Sequence, residues 1–423
     1  MGRVGMSRWV SLSLFALVGS CLALAPVASA AGHLDPTFGK RGVLDVSKDL
    51  GSGSLGAIAV APDRGIYFTE TSPVCYRGGC PSRVRLRHYL ADGSLDSSFG
   101  QPSIARAMEG ESLLVDPAGR PLMGWERHSG GGGIAIRRFQ PGGAVDRAFG
   151  DSGTVTLDCR CFFESLVLAP GGKLIASGYW ETKRRGKGVR VKSKWFFARL
   201  KPDGGLDRSF GRDGVVWLPQ RAYFSPDQIV PARSGSFLAG TRPLSHEASV
   251  PFVTRLSDRG HLARRYAART KHSLVGLPQT SRQSIGWEGI SLIPRGRRGV
   301  DVYGFFYNGK GVAVRLRPDG SRDGSFGHRG VASFPFDPND VVSDGSGGAL
   351  AVGYKRGHYS VLRVDARGRI DRHFGRVTLP GAYNEYGLGI LPSGRNAAVV
   401  IARGESVCRY DCPSEPKLFR VLR

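Results

Sequence analysis

Seven cations crowd into twelve residues of this chain: Lys183, Arg184, Arg185, Lys187, Arg190, Lys192 and Lys194, with Trp180 and Trp195 on either side. The whole sequence leans the same way, with 60 Lys and Arg against 35 Asp and Glu and a formal charge of +25 at pH 7. A cluster of that density attracts polyanions: lipid headgroups, cell-wall polymers or extracellular nucleic acid. Basic residues beside aromatic rings also suit nucleic acid, but the export signal described below argues against a genomic role. The competing reading is plain. A solvated hairpin tip carries the same residues and binds nothing.

Cysteine supplies the second piece of chemistry. Setting Cys21 aside, six remain in close pairs: Cys75/Cys80, Cys159/Cys161 and Cys408/Cys412. An even count in an exported chain points to disulfides. The first and last pairs sit in equivalent loops, and Cys80 and Cys412 each open a Cys-Pro-Ser triplet. Local bridges are expected there, and loops so short brace a hairpin more than the whole fold. The Cys159/Cys161 pairing is left open, because i,i+2 geometry is poor in an extended strand. Zinc is the rival, disfavoured by export and by the lack of Cys-x-x-Cys pairs.

Carboxylates four apart recur as Asp92/Asp96, Asp203/Asp207 and Asp319/Asp323. They lack the dense run of oxygen ligands of a calcium loop and fit turn and cap chemistry. No His-Glu-x-x-His, Gly-x-Ser-x-Gly or phosphate-binding glycine loop is present, and the nine histidines are scattered. Nothing calls for a cofactor or a metal. A non-enzymatic binding or scaffold module is the expectation, with an anionic envelope polymer, a lipid surface or a protein as partner. The alternative is a propeller hydrolase or lyase whose acids converge at a central cleft from separate parts of the chain.

These residues hang on a repeat. Leu206-Asp207-Arg208-Ser209-Phe210-Gly211, reached through Lys201-Pro202-Asp203-Gly204, recurs in copies ending at Phe38-Gly39, Phe99-Gly100, Phe149-Gly150, Tyr266-Ala267, Phe326-Gly327 and Phe374-Gly375. The intervals run from 48 residues (326 to 374) to 61 (38 to 99), a period that signals repeat architecture. The Asp is placed to cap one turn by accepting a backbone N–H. The Gly suits the left-handed residue that ends the turn, and the Phe aims into the gap beside the next sheet. The fifth copy, Leu262-Ala263-Arg264-Arg265-Tyr266-Ala267, has lost both Asp and Gly and should mark an irregular blade.

Each repeat reads as four short strands. Apolar runs such as 55–60 and 66–69 flank Pro62-Asp63-Arg64-Gly65, a hairpin signal with counterparts in every repeat. A third strand follows a variable loop (84–90, 134–139, 195–200, 251–256, 312–316, 359–364, 417–422), and a fourth follows Phe-Gly (42–46, 153–157, 214–218, 330–334, 377–379). No useful helical periodicity is visible beyond residue 30. The fold expected is all-β: a single closed seven-bladed β-propeller of four-stranded blades. The chain stops after a third strand and begins with what should follow one, so the N-terminal strand completes the last blade and removes an open edge.

The pattern Arg-Leu-x-Pro-Asp-Gly-x-Leu-Asp-x-x-Phe-Gly, clearest at 199–211 and 315–327, resembles the delta-60 repeat of bacterial β-propeller proteins. Arg322 stands where that repeat has Leu. The resemblance implies the propeller architecture and no activity, since the family carries no known catalytic residues. Beside it, one position recurs in the third strand as Arg138, Arg199, Arg255, Arg315, Arg363 and Arg420, with His88 in the first repeat. It is either a basic ring for an anion or a charge-assisted bond to the repeat Asp, such as Arg199 to Asp207.

Residues 1–30 read as a secretory signal: Arg3 and Arg8, an apolar run from Trp9 to Val27, and Ala28-Ser29-Ala30 before Ala31. The alternative is a lipid anchor on Cys21 after Val18-Gly19-Ser20. Residues 31–423 form the propeller, with no later stretch near the ~20 apolar residues of a membrane span. The product is expected to be an exported monomer. Non-reducing peptide mapping should recover Cys75–Cys80 and Cys408–Cys412 each within one peptide; free thiols, or a link between the two loops, would refute the local pairing.

Overall fold

The computed structural model describes residues 31–50, 53–73, 82–107, 112–127, 133–159, 161–184, 190–219, 225–245, 248–274, 287–296, 299–306, 310–355, 358–380, 389–394, 396–404 and 415–423. They form seven antiparallel sheets in chain order. Blade 1 is Ser54–Val60, Ile66–Pro73, Ser82–Tyr89 and Ser103–Ala107, and blade 2 is Ser112–Val115, Pro121–Glu126, Ile134–Arg138 and Thr154–Leu157. Blade 3 is Cys161–Ala169, Lys173–Arg184, Arg190–Leu200 and Val215–Pro219. Blade 4 has three strands, Ser225–Ala232, Gly235–Ser245 and Ala248–Leu256. Blade 5 is Trp287–Pro294, Val300–Phe306, Lys310–Leu316 and Val331–Phe334, and blade 6 is Asp337–Ser343, Ala349–Lys355, His358–Val364 and Arg376–Thr378. Blade 7 is Gly389–Pro392, Ala397–Gly404 and Glu415–Leu422, completed by the N-terminal strands His33–Leu34 and Val43–Asp45.

The first strand of every blade touches the first strand of the next, and Gly389–Pro392 returns to Ser54–Val60. The ring is closed, and the first strands line its centre. Apolar residues from neighbouring sheets merge into clusters between blades, for instance Leu122, Ile136, Phe163 and Phe196 between blades 2 and 3. The two faces differ. One carries the turns that join strands one to two and three to four, nearly alike in each blade. The other carries the variable connections.

Two glycine devices make the turn face. The link into the fourth strand is a two-residue hairpin with both corner residues at positive φ, as at Arg41-Gly42, Ser152-Gly153, Asp213-Gly214 and Arg329-Gly330. Its twist matches the flanking strands, and glycine makes the second corner free of strain. The second device latches blade to blade. Phe149 lies buried beneath Gly204 of the next blade, where φ is +92°, and a methyl there would sit 2.7 Å from Val155 Cγ2 and 2.9 Å from Gly150 N. The same pairing joins Phe38 to Gly93, Phe99 to Gly143, Phe210 to Gly260, Tyr266 to Gly320 and Phe326 to Gly368. Phe374 is covered by Gly32, from the N-terminal segment. A backbone bond runs alongside: Gly150 N–H donates to Asp203 O at 2.8 Å, Gly211 to Arg259 O at 2.9 Å, and Gly327 to Arg367 O at 2.7 Å.

The recurring arginine locks the latch. Arg199 Nε donates to Asp207 at 2.9 Å, its Nη1 reaches Asp258 O of blade 4 at 2.6 Å, and its guanidinium lies 4.5 Å above the Phe210 ring. Arg138 repeats this with Asp146 (2.7 Å), Pro202 O and Phe149. The Asp, in turn, accepts the N–H two residues on, as Asp207 does from Ser209. In blade 1 the shorter His88 bonds Asp96 at 2.9 Å, and Tyr67 Oη supplies the missing reach by donating to Pro141 O at 3.0 Å. Arg420, fully buried, bonds Ala91 O and so ties blade 7 to blade 1. The bond to the repeat Asp is thus the rule in blades 1, 2, 3 and 6. Blade 5 departs from it, because Arg315 takes the buried Asp301 instead (2.6 and 2.8 Å).

Blade 4 is the irregular one, as its degenerate motif implied, and here the expectation of no helix is corrected. Helix α1, Arg264–Leu274, follows the third strand where the other blades turn into their fourth, and among the described residues blade 4 has no fourth strand. Ala263 cannot cap as the repeat Asp does, and Ala267 does not favour the left-handed stop, so the turn propagates from Ala267 N–H to Ala263 O at 3.0 Å. Only Tyr266, Thr270 and Leu274 are buried, too sparse an apolar stripe to register in the sequence. Pro251 contributes as well. It occupies the register of Trp195, four residues before the recurring Arg, where blade 3 pairs with its fourth strand. Proline has no N–H to offer that ladder.

Two measurements test this account. Phe210→Ala should cost about 3–5 kcal/mol, and Gly204→Ala at least the ~1–2 kcal/mol of a forced left-handed residue. Gly142→Ala, with nothing within 4 Å of a new methyl, should stay within ~0.5 kcal/mol of wild type by denaturant titration; equal effects for the two glycines would overturn the latch.

Acid titration gives a second check. Asp207 is held well below the ordinary 3.8 by its hydrogen bond from Lys173, then by Ser209. At Asp146, burial would raise the value, but the Arg138 and Ala148 hydrogen bonds outweigh it and hold it low. A depressed folded value adds stability that is complete above the unfolded value and lost as pH falls towards the folded one. Buried Asp340, pushed up by desolvation, acts oppositely. The melting temperature should therefore decline below about pH 4, near the ordinary Asp value, and D207N should melt lower at pH 7 with a shallower acid limb. A flat profile down to about pH 2 would exclude the clasps as stabilising ion pairs.

Candidate polyanion-binding surface

Blade 3 carries the longest strand of the described chain, Lys173–Arg184, whose partner Arg190–Leu200 returns from the basic segment. The pair extends on the variable-loop face. Register places Arg184 opposite Arg190, Lys183 opposite Val191, Thr182 opposite Lys192 and Trp180 opposite Lys194. Paired and alternate positions share a face of a sheet, so positions 184, 190, 192 and 194 line one face of the ribbon and 183 the other. Arg185 and Lys187 lie outside the described residues.

The two flanking tryptophans have different fates. Trp195 is buried and stacks beside Tyr179 (5.3 Å between ring centroids) in the core towards blade 4. Trp180 is half-buried at the blade 2 side, and the exposed Lys194 Nζ stands 6.0 Å from its ring centroid. Two strands over, Trp217 leans on Phe196 at 5.7 Å and keeps 46% of its surface exposed.

A second basic surface was not legible in the sequence. On α1, Arg264, Arg265, Arg269, Lys271 and His272 are all exposed, and the helix holds no acidic residue. Once Tyr266, Thr270 and Leu274 point inward, the helical period forces the charges onto the solvent side. Among the described residues, only Arg269 of these meets a carboxylate, Asp319 at 2.6 Å with both groups more than half exposed. The signal that could have found it is the run Arg264 to His272 without an acid, hidden under a repeat motif.

The recurring arginines do not form a free basic ring. Their guanidinium groups are occupied by aspartates and by carbonyls of the same or the next blade. The aspartate pairs likewise serve their own turns: Asp92 accepts from Ser94, Asp96 from Ser98, Asp319 from Ser321 and Asp323 from Ser325. Among the described residues no group of three or more His, Cys, Asp or Glu is placed to hold a metal ion. Cys159 and Cys161 are bonded to each other, at the passage from blade 2 into blade 3. Cys75, Cys80, Cys408 and Cys412 fall outside the described residues, as does the segment 1–30 with Cys21. No described helix is long and apolar enough to cross a membrane.

No family model matches the chain, and no curated protein does. Among solved structures it is similar to the Pyrococcus horikoshii acylaminoacyl peptidase, with a TM-score of 0.49 and 10% identity over 89% of this chain and 52% of that one. It therefore spans about half the length of that enzyme. The β-propeller domain of the Trilobed protease from Pyrococcus furiosus gives 0.45 and 9% identity, covering 87% of this chain and 95% of the domain. A polysaccharide lyase, Uly1, gives 0.46 and 10%, covering 87% and 89%. The seven-bladed assignment rests on the sheets themselves, and these likenesses lend no activity to the chain.

Proposed function

We propose that this chain is a non-enzymatic, exported binding or scaffold propeller of the delta-60 repeat type, whose partner is a polyanionic component of the cell envelope. The reading is supported above all by α1, an exposed helix face of five basic residues with no acid among them. The basic ribbon of the neighbouring blade supports it too. Both surfaces stand on elements that depart from the repeat, one a lengthened hairpin and one a helix. Charges kept for the blade itself recur in every blade and are paired; these do not recur. The helix buries all of its large apolar residues, so it offers charge rather than a wedge to insert into a bilayer. Segment 1–30 delivers the protein outside, released or held through Cys21, where such polymers are found.

Each exposed cation near an anionic surface contributes ~1 kcal/mol at low salt, and screening cuts the reach to about 10 Å at 0.1 M salt. Binding should therefore be steeply salt-dependent. Co-sedimentation with cell-wall fragments and with anionic liposomes across a salt series should show retention that falls as salt rises. Neutralising Lys183, Arg184, Arg185 and Lys187, or Arg264, Arg265 and Lys271, should each lower retention, and both sets together should abolish it without shifting the melting temperature. Equal, salt-insensitive retention of wild type and variants would refute the proposal.

A further inference from the structure

We infer that the blade 2 side of blade 3 is a sugar-stacking platform, and that the polyanion it takes is an acidic polysaccharide. This deepens the polyanion reading and rests on it. Trp180, Lys194 and Trp217 come from three adjacent strands of one sheet. Trp180 pairs with Lys194, while Trp217 pairs with Phe196, two residues further along the same strand. All of these positions therefore fall on one face. Lys194 is exposed, and Trp217 occupies the diagonal neighbour position, roughly 7–8 Å away in backbone terms. Lys194 thus sits on the strand between those that carry the two indoles, with its Nζ 6.0 Å from the Trp180 ring centroid.

The platform is built rather than incidental. Trp180 is set by the core of blades 2 and 3, where it packs beside the buried Cys161, its partner on the first strand. The Cys159–Cys161 bond fixes the start of that strand. Trp217 rests on buried Phe196 and presents nearly half its surface outward, from the outer strand of the blade. The inner part of the indole packs on the blade and its outer part is left to solvent, an amphipathic surface that a ligand can cover.

The chemistry of the triad selects the ligand. The C–H face of a pyranose ring is apolar and packs flat on an indole, whose amphipathic body suits a partly wet interface. Lys194 beside the ring answers a carboxylate or sulfate on the sugar. A phosphate polymer would use the cation and leave the indoles idle. A neutral glucan would use the indoles and leave the charge unanswered. An acidic polysaccharide engages both. Single-stranded nucleic acid also stacks on aromatics, but the export segment places the protein away from that partner, so it enters as an outcome of the test.

The test uses the full mature chain and four probes: polygalacturonate, inorganic polyphosphate, single-stranded DNA and a neutral dextran, read by tryptophan fluorescence and calorimetry. Polygalacturonate should bind most tightly. W217A should weaken it about fivefold, the scale of one aromatic contact, and leave polyphosphate unchanged; W217F should restore binding, and K194M should weaken both polymers. An unchanged affinity for polygalacturonate in W217A, or an equal loss for both polymers, would overturn the platform while the charge-driven reading stands. Tighter binding of DNA, lost in W217A, would overturn the choice of polysaccharide. Failure of every polyanion to bind would overturn the proposed function as well. Trp217 lies on the surface, and matching melting curves would confirm that W217A folds.

Discussion

Every blade of this propeller is fastened to the next by the same contact, a buried aromatic ring slid beneath a glycine of the neighbouring turn. The ring needs a gap, and only a residue without a side chain leaves one at that place. In blades 2, 3 and 6 the recurring arginine finds its counter-charge in the Asp that caps the motif, which holds the turn with its other oxygen, and in blade 5 Asp301 supplies that charge. Ring, glycine, arginine and aspartate are therefore one unit. Removing any member leaves a cavity, a clash or a buried charge without its partner, each among the costly changes available to a protein. Because the unit spans two blades, it couples neighbouring sheets at the turn face, while bonds such as Ile390 N–H and Ser291 Oγ–H to Asp340 join them elsewhere.

The places where this unit is altered explain the individuality of the molecule. At the closing joint, Phe374 is covered by Gly32 of the N-terminal segment. The same segment then supplies strands to blade 7, so closure and latching are one event. In blade 1, histidine is too short to reach across, and a tyrosine hydroxyl from the adjacent strand makes the bond instead. In blade 4 the loss of Asp and Gly lets a helix run on where a strand should be, and the ring at Tyr266 still finds its glycine, Gly320. The joint to blade 5 keeps the packing, while Ser273 and Arg322 provide new bonds around it.

Such a frame confines departures from the repeat to a few elements. The turn face is committed to joining blades, and its arginines and aspartates are paired. Further cations lie along a lengthened hairpin in blade 3 and on the exposed side of the helix in blade 4, elements that depart from the repeat. Tolerance for additions at those sites follows from the ring: loops and rims contribute little to the clusters between blades, so they accept charge and exposed aromatic surface at little cost.

Much of this was legible in the sequence because the determinants are local. Hairpin turns demand glycine and aspartate at fixed offsets, strands alternate, and seven copies of one motif announce seven blades and a shared role for Arg199 and Asp207. The basic run at 183–194 was visible for the same reason. What depended on the tertiary structure was anything set by distance through space. Which strand lies at the centre, that Arg315 prefers Asp301, and that Tyr67 substitutes for a guanidinium are decided by packing between residues far apart in the chain. Helix α1 was hidden because its apolar stripe has three members, and its basic face exists only once those three are buried. The Cys159–Cys161 bond looked unfavourable from spacing alone, yet Cys159 lies past the end of blade 2's last strand and Cys161 opens the first strand of blade 3. Trp180 and Trp195 look alike as flanks of a charged run; strand register sends one to the core and sets the other beside Lys194, on the face that also carries Trp217.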